Sequence, residues 1–384
     1  MPRSAVKRLL TIEDVRARAR RRLPRAIFDA IDGAAEDELT MAENRAAFRR
    51  IRLRPRAVAD VSRRDLSTTV LGQPVSMPLL LGPCGMARMA DSGAEPAAAR
   101  AAAAAGTIFV VAGTSAYTPA QIAAVAPSSS LWYQLYLPPD REAAARLVDS
   151  VRDADYPVLC VTIDSAVSAR RERDYRNGLT IPLKISPKLL ATGISHPRWT
   201  RDFLFGKVGR GEGFGFYQSW SGYQKLATTI SDFMPVTMAD VHWLRERWPR
   251  KLVVKGIQRG DEVGELIEAG VDGFVVSNHG GRNLDGVRGS IEVLPEVVAA
   301  AGGRAEVLVD GGVRRGADAL KAVALGARAC LVGRPYMFGL GAAGEAGVEH
   351  VLQIFASEMD GAAAMLGCAR VDELDGSFVD VEAG

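Results

Sequence analysis

Eight short apolar runs, rich in β-branched residues, recur along the chain: Leu79–Gly82, Thr107–Ala112, Leu131–Leu135, Val158–Ile163, Leu252–Lys255, Gly273–Ser277, Glu306–Asp310 and Ala329–Gly333. Ala-rich helical patterns separate most of them, among them Ala94–Ala105, Arg141–Val151, Asp261–Ala269 and Ala317–Ala324. Alternation of strand and helix calls for parallel pairing through right-handed crossovers. Eight such units close into a (β/α)8 barrel. The rival arrangement is a doubly wound open sheet, but no GxGxxG opens the first helix. The 384 residues suffice for one large barrel or two average domains. A single domain spanning the chain is expected. Its 48% hydrophobic and 24% charged content fits a globular enzyme with a substantial core.

In such barrels the chemistry gathers at the carboxyl ends of the strands. Here those ends carry Pro83-Cys84-Gly85, Gly113-Thr114, Gln134 and Tyr136, Thr162 and Asp164, Lys255, His279 and Arg282, Asp310-Gly311-Gly312, and Gly333-Arg334. The most informative of these segments is Ser277-Asn278-His279-Gly280-Gly281-Arg282-Asn283-Leu284. His279, one of four histidines, can take a proton near neutrality. Arg282 can hold a carboxylate through paired hydrogen bonds. The glycines between them permit a sharp bend and close approach of a ligand. Together they suggest proton abstraction from a small carboxylic acid; an ordinary surface loop is the plain alternative. Glycine-rich turns with arginines, Asp310–Gly316 and Gly333-Arg334-Pro335, follow the seventh and eighth strands. Barrels often bind phosphate there, with backbone N–H groups and guanidinium charge. Tight turns with solvated arginines would look the same in sequence.

Some 75 residues of another character precede the first strand. Leu9–Ala30 and Glu38–Ile51 read as helices and Thr68–Met77 as a hairpin about Leu71-Gly72-Gln73, together a cover (residues 1–77) for one end of the barrel. Between the fourth and fifth strands the spacing jumps from about 20–30 residues to nearly 90. The insertion within that gap, residues 177–236, holds nine of the 25 aromatic residues and seven Lys/Arg against three Asp/Glu. It is either a lid packed on its own aromatics or a patch that touches a membrane surface. A net charge of +3 implies no nucleic-acid partner. The arginines crowding residues 16–25 read as a solvated helix face. The four cysteines show no CxxC spacing and no companion histidines, and no metal site is expected. They point to a reducing compartment. With no secretory signal and no apolar run long enough to span a bilayer, a cytoplasmic location is expected.

These segments resemble one family, the FMN-dependent L-2-hydroxy acid oxidases and dehydrogenases. The resemblance runs from about Leu9 to Cys368. It is carried by Leu23-Pro24, Gly33-Ala34-Ala35-Glu36-Asp37, Tyr133-Gln134-Leu135-Tyr136, Val254-Lys255-Gly256, Ser277–Asp285, Asp310–Gly316 and Gly333-Arg334-Pro335. His196-Pro197-Arg198-Trp199 and Asp240–Trp248 look most like the mandelate and lactate dehydrogenase branch.

The resemblance implies FMN as cofactor and oxidation of an L-2-hydroxy acid to the 2-oxo acid. His279 would be the base and Asp164 the partner of its charged form. Arg282, Arg171 and Tyr136 would hold the substrate carboxylate, and Lys255 would stabilise the anionic reduced flavin. Gln134 and Thr162 would hydrogen-bond the flavin ring, with Pro83, Cys84, Gly85, Ala112, Ser277, Asp310 and Gly312 also at the cofactor. Gly311, Arg314, Gly333 and Arg334 would cradle its phosphate. Three positions depart from the family pattern. Ala30 stands where a carboxylate-binding tyrosine is usual, Ala112 where Ser or Thr is common, and Cys84 where threonine is usual. Losing the tyrosine removes a hydrogen bond worth roughly 1.5–3 kcal/mol, or leaves room for a bulkier substrate. Oxygen, a quinone and a cytochrome all stay open as electron acceptor. Relatives are often tetramers, so a homo-oligomer is expected, with peripheral contact to the inner face of the cell membrane through the insertion. Oxidative tailoring of a peptide- or carrier-derived substrate is the alternative activity.

Overall fold

The computed structural model describes residues 6–179, 193–206 and 234–382. Three short strands, β1 (Ile51–Leu53), β2 (Thr68–Val70) and β3 (Gln73–Val75), precede the barrel. The barrel strands are β4 (Leu79–Leu81), β5 (Phe109–Val111), β6 (Leu131–Leu135), β7 (Val158–Thr162), β8 (Lys251–Ile257), β9 (Gly273–Val276), β10 (Glu306–Asp310) and β11 (Cys330–Val332). Consecutive strands pair in parallel, and β11 closes on β4 with Cys330 opposite Leu79 and Val332 opposite Leu81. The expected eight strands are thus the eight of a closed (β/α)8 barrel.

Strand periodicity explains where the core ends and the site begins. Alternate residues of a strand face opposite sides. One interior cluster contains Leu80, Val110, Trp132, Cys160, Val253, Val275, Leu308 and Leu331, one residue from each strand. Their neighbours Leu79, Leu81, Phe109, Val111, Tyr133 and Leu135 belong to the larger cluster beneath the surrounding helices. Val70 and Val75 of the β2–β3 hairpin join the interior cluster, so the hairpin plugs the amino-terminal end of the barrel. Gln73 Oε1 accepts the Trp132 indole N–H at 2.5 Å, tying plug to interior. Two residues beyond each interior apolar residue, the same alternation brings Gly82, Ala112, Gln134, Thr162, Lys255, Ser277, Asp310 and Gly333 to the open mouth.

The cover differs from expectation in one respect. Leu9–Ala30 is two helices, Ile12–Arg22 and Arg25–Asp32. Leu23 is extended (φ −85°, ψ 145°) because the ring of Pro24 disfavours a helical residue before it. The break turns the second helix across the barrel mouth. Its Asp32 carboxylate is held there by Arg16 (2.6 and 2.9 Å) and Arg173 (3.2 Å). A third helix, Leu39–Arg50, follows the second. Asp261–Ala269 begins as a 3-10 turn, Gly260–Glu262, before the helix Val263–Glu268. Two carboxy-terminal helices, Arg334–Ala343 and Glu345–Leu366, were not anticipated. They touch backbone to backbone, since a Cβ on Gly347 would lie 2.0 Å from the Gly339 carbonyl oxygen. A final strand, β12 (Val379–Val381), pairs antiparallel with β1.

Most of the insertion expected as a lid or membrane patch lies outside the described residues. Its helix Pro197–Phe205 is anchored on the loop after β4. The Trp199 indole donates to the Met89 carbonyl (2.8 Å), and the Asp202 carboxylate accepts from Ser92 N and Oγ (2.9 and 2.6 Å).

Candidate active site

The polar residues at the barrel mouth are joined to one another. Gln134 accepts the Gly113 N–H (3.1 Å) and donates to Thr162 Oγ1 (2.9 Å). Lys255 Nζ donates to Ser277 Oγ (2.8 Å) and lies 3.1 Å from an Asp310 carboxylate oxygen. Burial pushes the Lys255 ammonium down, but Asp310 and Asp164 outweigh it and hold the proton affinity above that of an ordinary lysine. A pocket opens above this floor. Its lining includes Pro83, Cys84, Gly85, Ala112, Gln134, Tyr136, Arg171, Lys255, His279, Arg282, Asp310–Gly312, Arg314, Gly333 and Arg334, with Ala30 of the cover. Nearly all the residues singled out in sequence therefore meet in one place. Thr162 and Ser277 do not reach the pocket wall. They stand behind it and orient Gln134, Lys255 and, through a 3.0 Å bond from its backbone N–H, His279. Asp164 also lies behind the wall.

His279 is aimed by unusual backbone. It, Gly280 and Gly281 have φ of +56°, +63° and +75°, successive left-handed residues that favour glycine. Space adds a second reason for the glycines. A Cβ on Gly280 would sit 2.8 Å from an Arg334 nitrogen, and one on Gly281 2.7 Å from the Met41 backbone nitrogen. The imidazole Nδ1 lies 3.0 and 3.3 Å from the Asp164 carboxylate oxygens, and Nε2 lies 3.3 Å from the Tyr136 hydroxyl. With the Nδ1 proton donated to Asp164, Nε2 keeps the lone pair. Burial pushes the His279 proton affinity below the ordinary histidine value, against the pull of Asp164, so the ring is a neutral base. Desolvation pushes the Asp164 carboxyl up, yet His279 and Lys255 hold it below the usual carboxylate range.

Four guanidiniums surround the pocket, and none forms an ion pair among the described residues. Burial, then the charge of Arg282, pushes Arg171 down to about 10. Burial pushes Arg314 to about 10 and Arg334 to about 9. Arg282 Nη1 donates to the carbonyls of Ala30 and Gly33, both at 2.8 Å. Arg171 Nε donates to the Arg282 backbone carbonyl (3.2 Å). Arg334 donates to the Gly280 and Gly33 carbonyls (2.8 and 2.7 Å), while its Nε is buried without a partner. Half-buried positive groups held only by carbonyl oxygens suit the binding of anions.

The carboxyl ends of β10 and β11 form one half of that region. Gly311 and Gly312 have φ of +91° and +90°, and a Cβ on Gly312 would come 2.1 Å from the Asn44 carbonyl oxygen. The helix Gly316–Ala324 starts immediately after, but its first N–H groups are already taken, Arg314 and Arg315 donating to Asp318 (2.9 Å each) and Gly316 to Glu358 (2.8 Å). Arg314, Arg334 and this turn suit a phosphate, and the amide, ammonium and carboxylate of Gln134, Lys255 and Asp310 suit the polar edge of a flavin. The residues present fit FMN.

The three departures take concrete form. Ala30 leaves the pocket wall low, beside Ile27 and Ile31 of the same helix. Ala112 lines the pocket with a methyl group. The Cys84 sulfur faces Gly333, where a Cβ would lie 2.9 Å away, and burial pushes its thiol up, away from a reactive thiolate. Gly85 is required because a Cβ there would strike Thr114 Oγ1 at 2.2 Å. Sequence reasoning passed over Asn44, whose amide exchanges two 2.8 Å bonds with that of Asn278. It also passed over Asn283, which lines the pocket. Neither residue type carries a chemical signature, and only closure of the fold brings each to its partner.

The family model for FMN-dependent dehydrogenases matches residues 19–381. An L-lactate oxidase from a Nostoc species is 41% identical over 366 residues, 94% of this chain and 95% of that protein. A pre-mycofactocin synthase from Mycobacterium tuberculosis is 39% identical over 395 residues, 97% of this chain and 95% of that protein. The crystal structure of the monotopic membrane protein (S)-mandelate dehydrogenase superposes with a TM-score of 0.88 at 37% identity, covering 97% of this chain and 100% of that one. Barrel, arginine-lined pocket and full-length similarity agree: the chain belongs to the FMN-dependent dehydrogenase family, an oxidoreductase with FMN as its cofactor.

Proposed function

We propose that the enzyme oxidises an L-2-hydroxy acid to the 2-oxo acid. The observation that carries this is His279, backed by Asp164, lining one pocket with Arg171 and Arg282. FMN, when bound, supplies the acceptor for two electrons. The protein supplies the rest. Arg171 and Arg282, with the Tyr136 hydroxyl, bind and orient the substrate carboxylate. His279 Nε2 takes a substrate proton, and Asp164 stabilises the resulting imidazolium. Lys255 would offer a fixed positive charge to the cofactor in its reduced, anionic form.

Ala30 with Ile27 and Ile31 makes that wall small and apolar, which favours an aromatic or branched substrate side chain. The alternative, oxidative tailoring of a peptide- or carrier-derived substrate, gains support from the likeness to pre-mycofactocin synthase. Two half-buried arginines suited to a free carboxylate, Arg171 and Arg282, weigh against it. For the acceptor, we favour a quinone reached at the inner membrane surface over oxygen or a cytochrome, with the chain a homo-oligomer, its tetrameric form following the family expectation. Among the described residues no helix is long and apolar enough to cross a membrane. Ile194 and Phe205 of the insertion are 82% and 74% exposed beside Arg198 and Arg201, a composition suited to peripheral contact.

Anaerobic mixing of the FMN-loaded protein with a panel of 2-hydroxy acids tests the activity. Bleaching of the flavin by mandelate-like acids, faster than by lactate, is expected. A flavin that no member of the panel reduces rejects the proposal. Reoxidation by quinone, and by air in a parallel sample, then identifies the acceptor.

A further inference from the structure

The Asp164 carboxylate has to stay beside His279 while the imidazole gains and loses a proton. Its own strand does not hold it, because Asp164 lies two residues beyond the end of β7. One side rests on the bare Cα of Gly256 (φ +112°), where a Cβ would lie 2.7 Å from both Cβ and Cγ of Asp164. Asn283 holds the other side. Its Nδ2 donates to the Asp164 carbonyl (2.7 Å) and to Ser165 Oγ (2.8 Å), and lies 3.4 Å from the Asp164 carboxylate. An amide nitrogen has two hydrogens, so the two short bonds take them and the carboxylate contact is marginal. Ser165 Oγ in turn lies 3.3 Å from the carboxylate. Asn283 thus ties the loop that carries the base to the backbone that carries the base's partner.

We propose that Asn283 is a positioning residue that sets the separation of Asp164 and His279, and with it the proton affinity of the base. This rests on the functional reading of that pair. The groups facing His279 besides Asp164 are Lys255, Asp310 and Tyr136, with Arg171 and Arg282 across the pocket. Asp164 raises the proton affinity of His279, so a carboxylate free to drift withdraws part of that support. Displacement of a catalytic group by about 1 Å can cost on the order of a hundredfold in rate.

The test is the pH profile of anaerobic flavin reduction in FMN-loaded wild type, Asn283→Ala, Asn283→Gln and Asn283→Asp. Flavin content and melting temperature are measured for each. Asn283→Ala should slow reduction by roughly ten- to a hundredfold, with little change in substrate KM and an acid limb moved to lower pH. Asn283→Gln keeps the donating amide and should recover most of the rate. Asn283→Asp adds a carboxylate beside the pair and should move the acid limb to higher pH. A purely structural role lowers flavin content or melting temperature without moving the two limbs in opposite directions. Wild-type rate and profile in Asn283→Ala, or limbs that shift the same way in the Ala and Asp variants, overturns the proposal. If no 2-hydroxy acid reduces the wild-type flavin, the activity is wrong. The positioning claim is then judged by NMR titration of His279, and equal midpoints in wild type and Asn283→Ala reject it.

Discussion

As the proposed base, His279 acts only when neutral, and its surroundings decide when that is. Burial lowers its proton affinity, Asp164 pulls the other way and Lys255 reinforces burial. Activity is therefore present above the folded-state value and lost as pH falls through it. That value lies below the ordinary histidine figure of about 6.5. The rate of flavin reduction should accordingly reach its plateau by neutral pH, with an acid limb centred below about 6.5; stopped-flow measurement across the acid range checks it, and a limb centred higher contradicts it. Replacing His279 by Gln should cost about 10²–10⁴ in that rate while the bound flavin spectrum is kept. Ala30→Tyr restores a hydroxyl near the carboxylate clamp and closes the low wall. It should tighten lactate and weaken a mandelate-like acid, each by roughly tenfold, about 1.4 kcal/mol. Apparent affinities for both acids unchanged by the substitution would remove the case for a bulky substrate.

Single elements divide between stability and chemistry according to which end of the barrel they serve. Trp132 is fully buried inside the barrel and bonded to the hairpin plug, one layer below the mouth. Trp132→Ala should cost about 3–5 kcal/mol of stability, read as a lowered denaturation midpoint, with a normal flavin spectrum in the protein that remains folded. Gly312→Ala should act at the mouth, on cofactor binding as well as on packing against the cover. Its φ of +90° and the Asn44 carbonyl 2.1 Å from any added Cβ leave no room for a methyl group. FMN affinity should fall at least about tenfold, roughly 1.4 kcal/mol, measured by fluorescence titration of the apoprotein. The strands were legible because a period of two and a run of buried residues are local signals. The single helix expected over Leu9–Ala30 was not, because apolar periodicity continues across Pro24 while the backbone does not. The glycines after β9 and β10 could be noticed in sequence, but the reason for them, contact with Arg334, Met41 and Asn44, could not.

At the scale of the molecule, the cover and the barrel share the site. The helix Leu39–Arg50 sends Asn44 to the loops after β9 and β10, and Asp285 in return accepts the N–H groups of Leu39 and Thr40 (3.1 and 2.7 Å). Two half-buried guanidiniums, those of Arg314 and Arg334, lie at the phosphate side of the pocket with lowered proton affinity. An anion bound there relieves them and joins cover to barrel. FMN at a hundred times its Kd should therefore stabilise the apoprotein by about 2.7 kcal/mol. Riboflavin, lacking the phosphate, should raise the melting temperature less than FMN, and equal shifts would dissociate the arginines from phosphate binding.

By itself the sequence determined the eightfold strand pattern, the apolar interior and the set of residues at the strand ends, because each depends on spacing along a short stretch of chain. Only the tertiary structure decided which of those residues act together. His279 meets Asp164 and Asn283 reaches back to it across 119 positions. Lys255 finds Asp310, and Arg282 turns onto carbonyls of the cover. Hydrogen bonds between residues so far apart depend on strand register and on closure of the barrel, and neither is written in any one segment.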